Sequence, residues 1–259
     1  MSGADGIVRL EQRGAIATIT FDRPAARNAM TWAMYEQLDE ALERIGANQD
    51  VRVAVLRGAG GHFVAGTDIA QFTEFTSGDD GVAYEERLES IIAKLEGMRV
   101  ATIAAVEGFV VGAGLVLAAA CDLRIAAPSA RFGVPIARTV GNALSMINYA
   151  RLVALLGASR TKAMLLTTDF IPAEDARAIG FVAAVVDGPA FESELDALSA
   201  RISTYSPITI QCTKEAIRRI TGASLANGDD LLHRAYGSRD FHEGVTAFVE
   251  KRAPRWEGH

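Results

Sequence analysis

"GFVVGAGLVLAAACD", residues 108–122, decides how this chain is read. Gly112 and Gly114 bracket Ala113, and the stretch from Leu115 to Ala120 is apolar, without an acid or a base. A glycine turn feeding a helix aims unpaired backbone N–H groups at its start, where an anion or a developing negative charge is stabilised. The stretch therefore predicts a site whose polarity comes from the main chain.

The flanking segments set the fold class. "ATIAAVEG" (101–108) before it and "DLRIAA" (122–127) after it read as strands, with a helix between them. Upstream, "VRVAVLRGAGG" (51–61) is a buried strand running into a glycine loop. "TWAMYEQLDEALERIGAN" (31–48) carries Met34, Leu38, Ala41, Leu42 and Ile45 at helical spacing, with Thr31 as N-cap. "GIVRLEQRGAIATITFDRP" (6–24) reads as two strands around Arg13-Gly14, and "SGDDG" (77–81) introduces a helix running to about Gly97. Strands alternating with helices over short links predict an α/β fold with a largely parallel sheet. From about Pro189 only helices are read, in "FESELDALSARIS", "PITIQCTKEAIRRI", "DLLHRAYGSRD" and "FHEGVTAFVEKR". Leu231, Leu232, Tyr236, Phe241, Val245 and Phe248 are spaced there to bury more than one chain's core needs.

Composition narrows the function classes. The chain has 259 residues, is 49% hydrophobic and carries a net charge of −6, which disfavours a general nucleic-acid partner. Cys121 and Cys212 lie far apart, and the four histidines lack metal-ligand spacing, so neither a disulfide framework nor a metal is expected. No apolar run reaches membrane-spanning length, and a cytoplasmic protein without a membrane partner is expected. "GAGLVL" lacks the third glycine of a dinucleotide fingerprint, and no acidic residue ending a strand follows at the required distance.

A second glycine segment, "GHFVAGTDIAQF" (61–72), ends a strand at Ala65-Gly66 and starts a new element at Thr67-Asp68. Asp68 is either an acid or, more simply, the cap of that element. Together "FVAGTDI", "IAAVEGFVVGAGLVLAAACDLRIAA" and "ARFGVP", flanked by "ITFDRPAARNAM" and "EGVTAFVEKRAPRW", resemble the crotonase superfamily, the enoyl-CoA hydratase/isomerase family. The resemblance implies a crotonase-like spiral core of repeated ββα units over residues 1–188. It also implies a C-terminal α-helical region over 189–259 for oligomerisation and pocket closure, in a homotrimer or dimer of trimers.

The same resemblance implies an acyl-CoA thioester as substrate, coenzyme A entering only as part of it, and no tightly bound cofactor. The N–H groups of Thr67 and Ala113 would form the oxyanion hole, supported by Ala65, Gly66 and Gly112. Arg27 would contact the CoA phosphates, with Arg23 as second candidate, "HFVA" (62–65) would meet the adenine, and Phe248 and Lys251 would contribute from the last helix. The two glutamates that hydratases of this family use fall here on Val116 and Ile136, so simple enoyl-CoA hydration is not expected. Nearby, Arg138 is a candidate for a substrate carboxylate, and Asn142 either orients a substituent or caps the helix running to Leu156. Glu74, Glu85 and Glu89 are candidates for a relocated base. The alternatives are therefore an isomerase or decarboxylase type of member, or a silent acyl-CoA-binding protein.

Overall fold

The computed structural model describes residues 6–221 and 229–255. Strands β1 (Ile7–Arg13) and β2 (Ile16–Asp22) form an antiparallel hairpin, Ile7 opposite Asp22 and Arg13 opposite Ile16. Helix α1 (Trp32–Ala47) then starts where its cap was read, the Thr31 hydroxyl accepting from the Met34 N–H at 3.2 Å. It crosses to β3 (Val53–Gly58), which pairs in parallel with β2. Helix α2 (Gly78–Glu96) leads to β4 (Ala101–Val106), and β5 (Phe109–Val111) with α3 (Ala113–Ala120) leads to β6 (Leu123–Ala126). A parallel neighbour demands such a crossover, which is why strand and helix alternate here.

Next come β7 (Arg131–Gly133), α4 (Ile136–Thr139), α5 (Met146–Leu156), α6 (Ala158–Thr167), β8 (Ile171–Pro172), α7 (Ala173–Ala178) and β9 (Ala184–Val185). The main sheet runs β1-β2-β3-β4-β6-β9, and a small second sheet runs β5-β7-β8. The α/β class and the largely parallel sheet are as the sequence predicts.

Both faces of the main sheet are covered, and the residue alternation of its strands shows by what. Ala54, Leu56, Ala104 and Val106 join the large core with α1, α2 and α3. Val53, Val55, Ile103 and Ala105 face the other way, onto Phe191, Leu195 and Ile202 of α8 (Gly188–Ser203). The remaining helices are α9 (Pro207–Thr221), α10 (Asp229–Tyr236) and α11 (Arg239–Val249), of which α10 packs on α2. Leu232, Tyr236, Phe241 and Val245 are buried in the chain's own core, so that part of the C-terminal stripe is covered from within, whereas Phe248 is 51% exposed. The side chain of Leu231 lies outside the described residues. Among the described residues, no helix is long and apolar enough to cross a membrane.

One helix start differs from expectation. The apolar periodicity places the cap of the helix ending at Leu156 on Asn142, but α5 begins at Met146 with Ser145 as its N-cap residue. The short α4 and an irregular link take up the intervening residues. Asn142 instead reaches across the fold, its amide donating to the Tyr236 hydroxyl at 3.0 Å.

Helix α3 is buried along its whole length, and its start is pressed against the chain that follows β3. A Cβ on Gly114 would lie 2.1 Å from the Val64 carbonyl oxygen, so only glycine permits this approach. That contact brings the two glycine segments together.

Candidate active site

The two turns meet through a short run of pairings. Val64 bridges Val110 in parallel, with the Val111 N–H on the Val64 carbonyl at 3.0 Å. Gly66 has φ +99° and Gly112 φ +53°, both in the region that favours glycine, and a Cβ on Gly112 would lie 3.8 Å from the Gly66 Cα. Thr67 and Ala113, the residues that follow, are each 7% exposed.

Their N–H groups are unused. Thr67 bridges Met30 in parallel, and the bonds of that bridge run from the Met30 N–H to Gly66 O at 2.8 Å and from the Asp68 N–H to Met30 O at 2.9 Å. Neither uses the Thr67 N–H. Ala113 is the first residue of α3, so its N–H has no carbonyl one turn earlier to donate to. Among the described residues neither group has an acceptor. Ala113 is not among the residues with positive φ, which is how a methyl group is accommodated there.

The positions that follow these donors are apolar. Pairing of β5 with β7, Val111 opposite Gly133, sets the start of α3 beside the segment leading to α4. Val116 is 1% exposed on the first turns of α3, and Ile136, the first residue of α4, packs half-buried against the same core. Neither side chain can give or take a proton.

A buried polar cluster lies on the other side of Thr67. The Thr67 hydroxyl is 2.7 Å from the Tyr35 hydroxyl and 2.7 Å from that of Tyr84. Burial pushes both phenols above their ordinary pKa, so they remain protonated. Beside Tyr84, the Glu85 carboxylate accepts from the Ser145 N–H at 3.0 Å, the Asn148 amide at 3.2 Å and the Tyr236 hydroxyl at 3.2 Å. Burial raises the Glu85 pKa, and its bonds from Ser145 and Asn148 pull the other way. Glu89 and Glu96 hold Arg151 at 3.0 and 2.6 Å, and Glu74 is exposed. Of the three glutamates read as candidates for a relocated base, Glu85 and Glu89 are thus engaged inside the chain.

The arginines near the N-terminus separate clearly. Arg23 is held by Asp68 at 2.8 Å and by the Ala29 carbonyl at 3.1 Å, and Asp68 also accepts from the Ala70 N–H as a cap. Arg27 is exposed, with its guanidinium 4.8 Å from the centre of the Phe109 ring. Its carbonyl accepts from the Ala65 N–H at 3.1 Å, which ties this loop to the first glycine turn. His62 stacks on the same Phe109 ring at 5.5 Å. Arg138 is exposed on α4 and makes no ion pair among the described residues, and Lys251 is exposed just beyond α11. The structure therefore brings Gly66 and Gly112, with Thr67 and Ala113 after them, together, and ties the Arg27 loop to the first of these turns, while Val116 lies one turn into α3 and Ile136 shortly after the strand that pairs with β5.

Sequence reading does not single out Tyr35 and Tyr84, and it places Tyr236 only in an apolar stripe, without the partners of its hydroxyl. The available signal was modest: a tyrosine on an inward helix face needs a partner for its hydroxyl. Tyr35 sits in the buried stripe of α1 beside Met34 and Leu38.

Residues 11–259 match the family model described as enoyl-CoA hydratase/isomerase. The chain is 32% identical over 256 residues to the 2,3-dehydroadipyl-CoA hydratase of Escherichia coli, covering 97% of this chain and 98% of that one. Among solved structures, an enoyl-CoA hydratase/carnithine racemase from Magnetospirillum magneticum is 31% identical with a TM-score of 0.80, covering 97% of this chain and 96% of that one. A methylmalonyl-CoA decarboxylase in complex with 2-nitronate-propionyl-CoA is 27% identical with a TM-score of 0.88, covering 97% and 98%. These likenesses span the whole fold, so the α/β architecture is that of crotonase-type structures.

Proposed function

This chain belongs to the enoyl-CoA hydratase/isomerase family, and on that premise we propose that it decarboxylates a 2-carboxyacyl-CoA through a thioester enolate. The observation that carries the proposal is the pairing of two unused N–H groups, on Thr67 and Ala113, with apolar side chains at Val116 and Ile136. In such a reaction the bond between Cα and the carboxylate carbon breaks and CO₂ leaves. The electron pair delocalises onto the thioester oxygen, and a proton from solvent then reaches Cα. The first step needs an electron sink and no base. Fixed N–H donors at the start of α3 suit the developing charge because they need no reorganisation.

Hydration makes different demands, since a base must activate water and an acid must protonate Cα. Val116 and Ile136 supply neither. The likeness to a methylmalonyl-CoA decarboxylase supports the same choice, at a TM-score of 0.88. For the CoA phosphates we favour Arg27 over Arg23, because Arg23 is already held by Asp68 at 2.8 Å. Malonyl-CoA and methylmalonyl-CoA are the test compounds. Release of CO₂ with formation of acetyl-CoA or propionyl-CoA is expected. Binding of CoA thioesters without turnover of any would instead make the protein a silent binder.

The assembly proposed is a homotrimer or dimer of trimers. Helix α9 has no buried residue, and its Ile208, Ile217 and Ile220 are 64%, 56% and 77% exposed. A second copy covering them is the simplest account of so much apolar surface. Light scattering should return three or six chains, and a stable monomer at micromolar concentration contradicts the proposal.

A further inference from the structure

The two donors of the oxyanion hole are not held alike. Ala113 opens a buried helix, so its N–H direction is set by α3 itself. Thr67 stands between Gly66, with φ +99°, and the capped turn at Asp68, outside any helix or sheet. Among the described residues its main-chain support is the Met30 bridge. Something further has to fix the plane of the Gly66–Thr67 peptide if its N–H is to point at one place.

The side chain offers that support. We propose that Tyr35 and Tyr84 are positioning residues which, by clamping the Thr67 hydroxyl from two sides, hold the Thr67 N–H on the thioester oxygen. This rests on reading Thr67 as an oxyanion donor. Both oxygen–oxygen distances are 2.7 Å, at the short end for hydroxyl pairs. A β-branched residue has little freedom about χ1, so fixing its hydroxyl fixes its main chain as well. The phenols themselves come from rigid elements. Tyr35 projects from α1 and Tyr84 from α2, and Tyr84 is packed by Trp32 at 5.8 Å and Phe72 at 5.0 Å between ring centres. Burial keeps both phenols protonated, so the clamp stays hydrogen-bonded across the working pH range. Preorganised donors act only while their direction is held, and a displacement of about 1 Å costs on the order of 10²-fold in rate.

A purely structural role would lower stability and leave a bound carbonyl unaffected. The test therefore reads the carbonyl itself, by infrared difference spectroscopy of acetyl-CoA labelled with ¹³C at the thioester carbon. With the parent protein the labelled stretch is expected to move to lower frequency on binding. Tyr84→Phe and Thr67→Val should each lose at least about half of that shift, while affinity for acetyl-CoA changes less than about threefold. Thr67→Ser, which restores a hydroxyl, should recover most of what Thr67→Val loses. If Thr67→Val does not fold, Tyr84→Phe and Tyr35→Phe carry the test, each removing one hydroxyl. A parent-sized shift in folded Tyr84→Phe and Tyr35→Phe overturns the clamp and leaves the oxyanion hole standing. No shift in the parent overturns both.

Discussion

Ala113→Pro is expected to fold as the parent does and to turn over its thioester substrate about 10²–10³-fold more slowly. The two halves of this expectation have separate causes. Ala113 is the first residue of α3, a position where proline's fixed φ suits a helix and its missing N–H is an orphan anyway. That N–H has no acceptor among the described residues, so its loss breaks no bond within the fold. It would remove one of the two donors proposed for the thioester oxygen and put a ring carbon where that oxygen would lie. Single-turnover rates, with a thermal melt as control, check both halves. A folded variant with parental rates would remove Ala113 from the site.

Crotonyl-CoA hydration is the second large effect, expected at about 10⁴-fold or more below the rate of a site with both carboxylates, since each positioned acid or base is worth about 10²–10⁴-fold. Val116 is fully buried and Ile136 half-buried, so these positions also exclude an attacking water. Glu85 is no substitute in this arrangement, because its oxygens accept from Ser145, Asn148 and Tyr236. Loss of the enoyl absorbance on adding protein measures the rate. Hydration at ordinary enzyme rates would overturn this reading and would point to a relocated base at Glu74, Glu85 or Glu89, of which only Glu74 is exposed and free of the bonds that hold the other two. Installing Val116→Glu with Ile136→Glu is the converse experiment, and hydration should then exceed that of the parent.

Much of the main chain was legible because its causes are local. The Thr31 cap, the turn at Gly14 and the strand–helix alternation from β1 to β6 follow from residue spacing, and the structure contains them. The glycine turns were legible for the same reason, since positive φ at Gly66 and Gly112 demands that residue type. Asn142 shows where local rules fail. It begins an apolar periodicity and looks like a cap, yet its amide bonds Tyr236, which lies 94 positions away in the chain. The same holds for the clamp on Thr67, whose partners lie 32 and 17 positions away. Hydrogen bonds of that span follow from how α1, α2 and α10 pack, and no spacing along one dimension encodes them. In "RPAARNAM" Arg27 ranks ahead of Arg23 by resemblance alone, and the physical reason appears only in the fold, which brings Asp68 to Arg23.

In the proposed reaction two backbone N–H groups, and no side-chain acid or base, receive the charge that develops on the thioester. A crystal structure with a non-hydrolysable 2-carboxyacyl-CoA analogue tests it most directly. The thioester-equivalent oxygen is expected at about 2.7–3.1 Å from both the Thr67 and the Ala113 nitrogen, with the carboxylate against Val116 and Ile136. An oxygen that meets neither nitrogen, or a glutamate carboxylate within hydrogen-bonding reach of Cα, would contradict it.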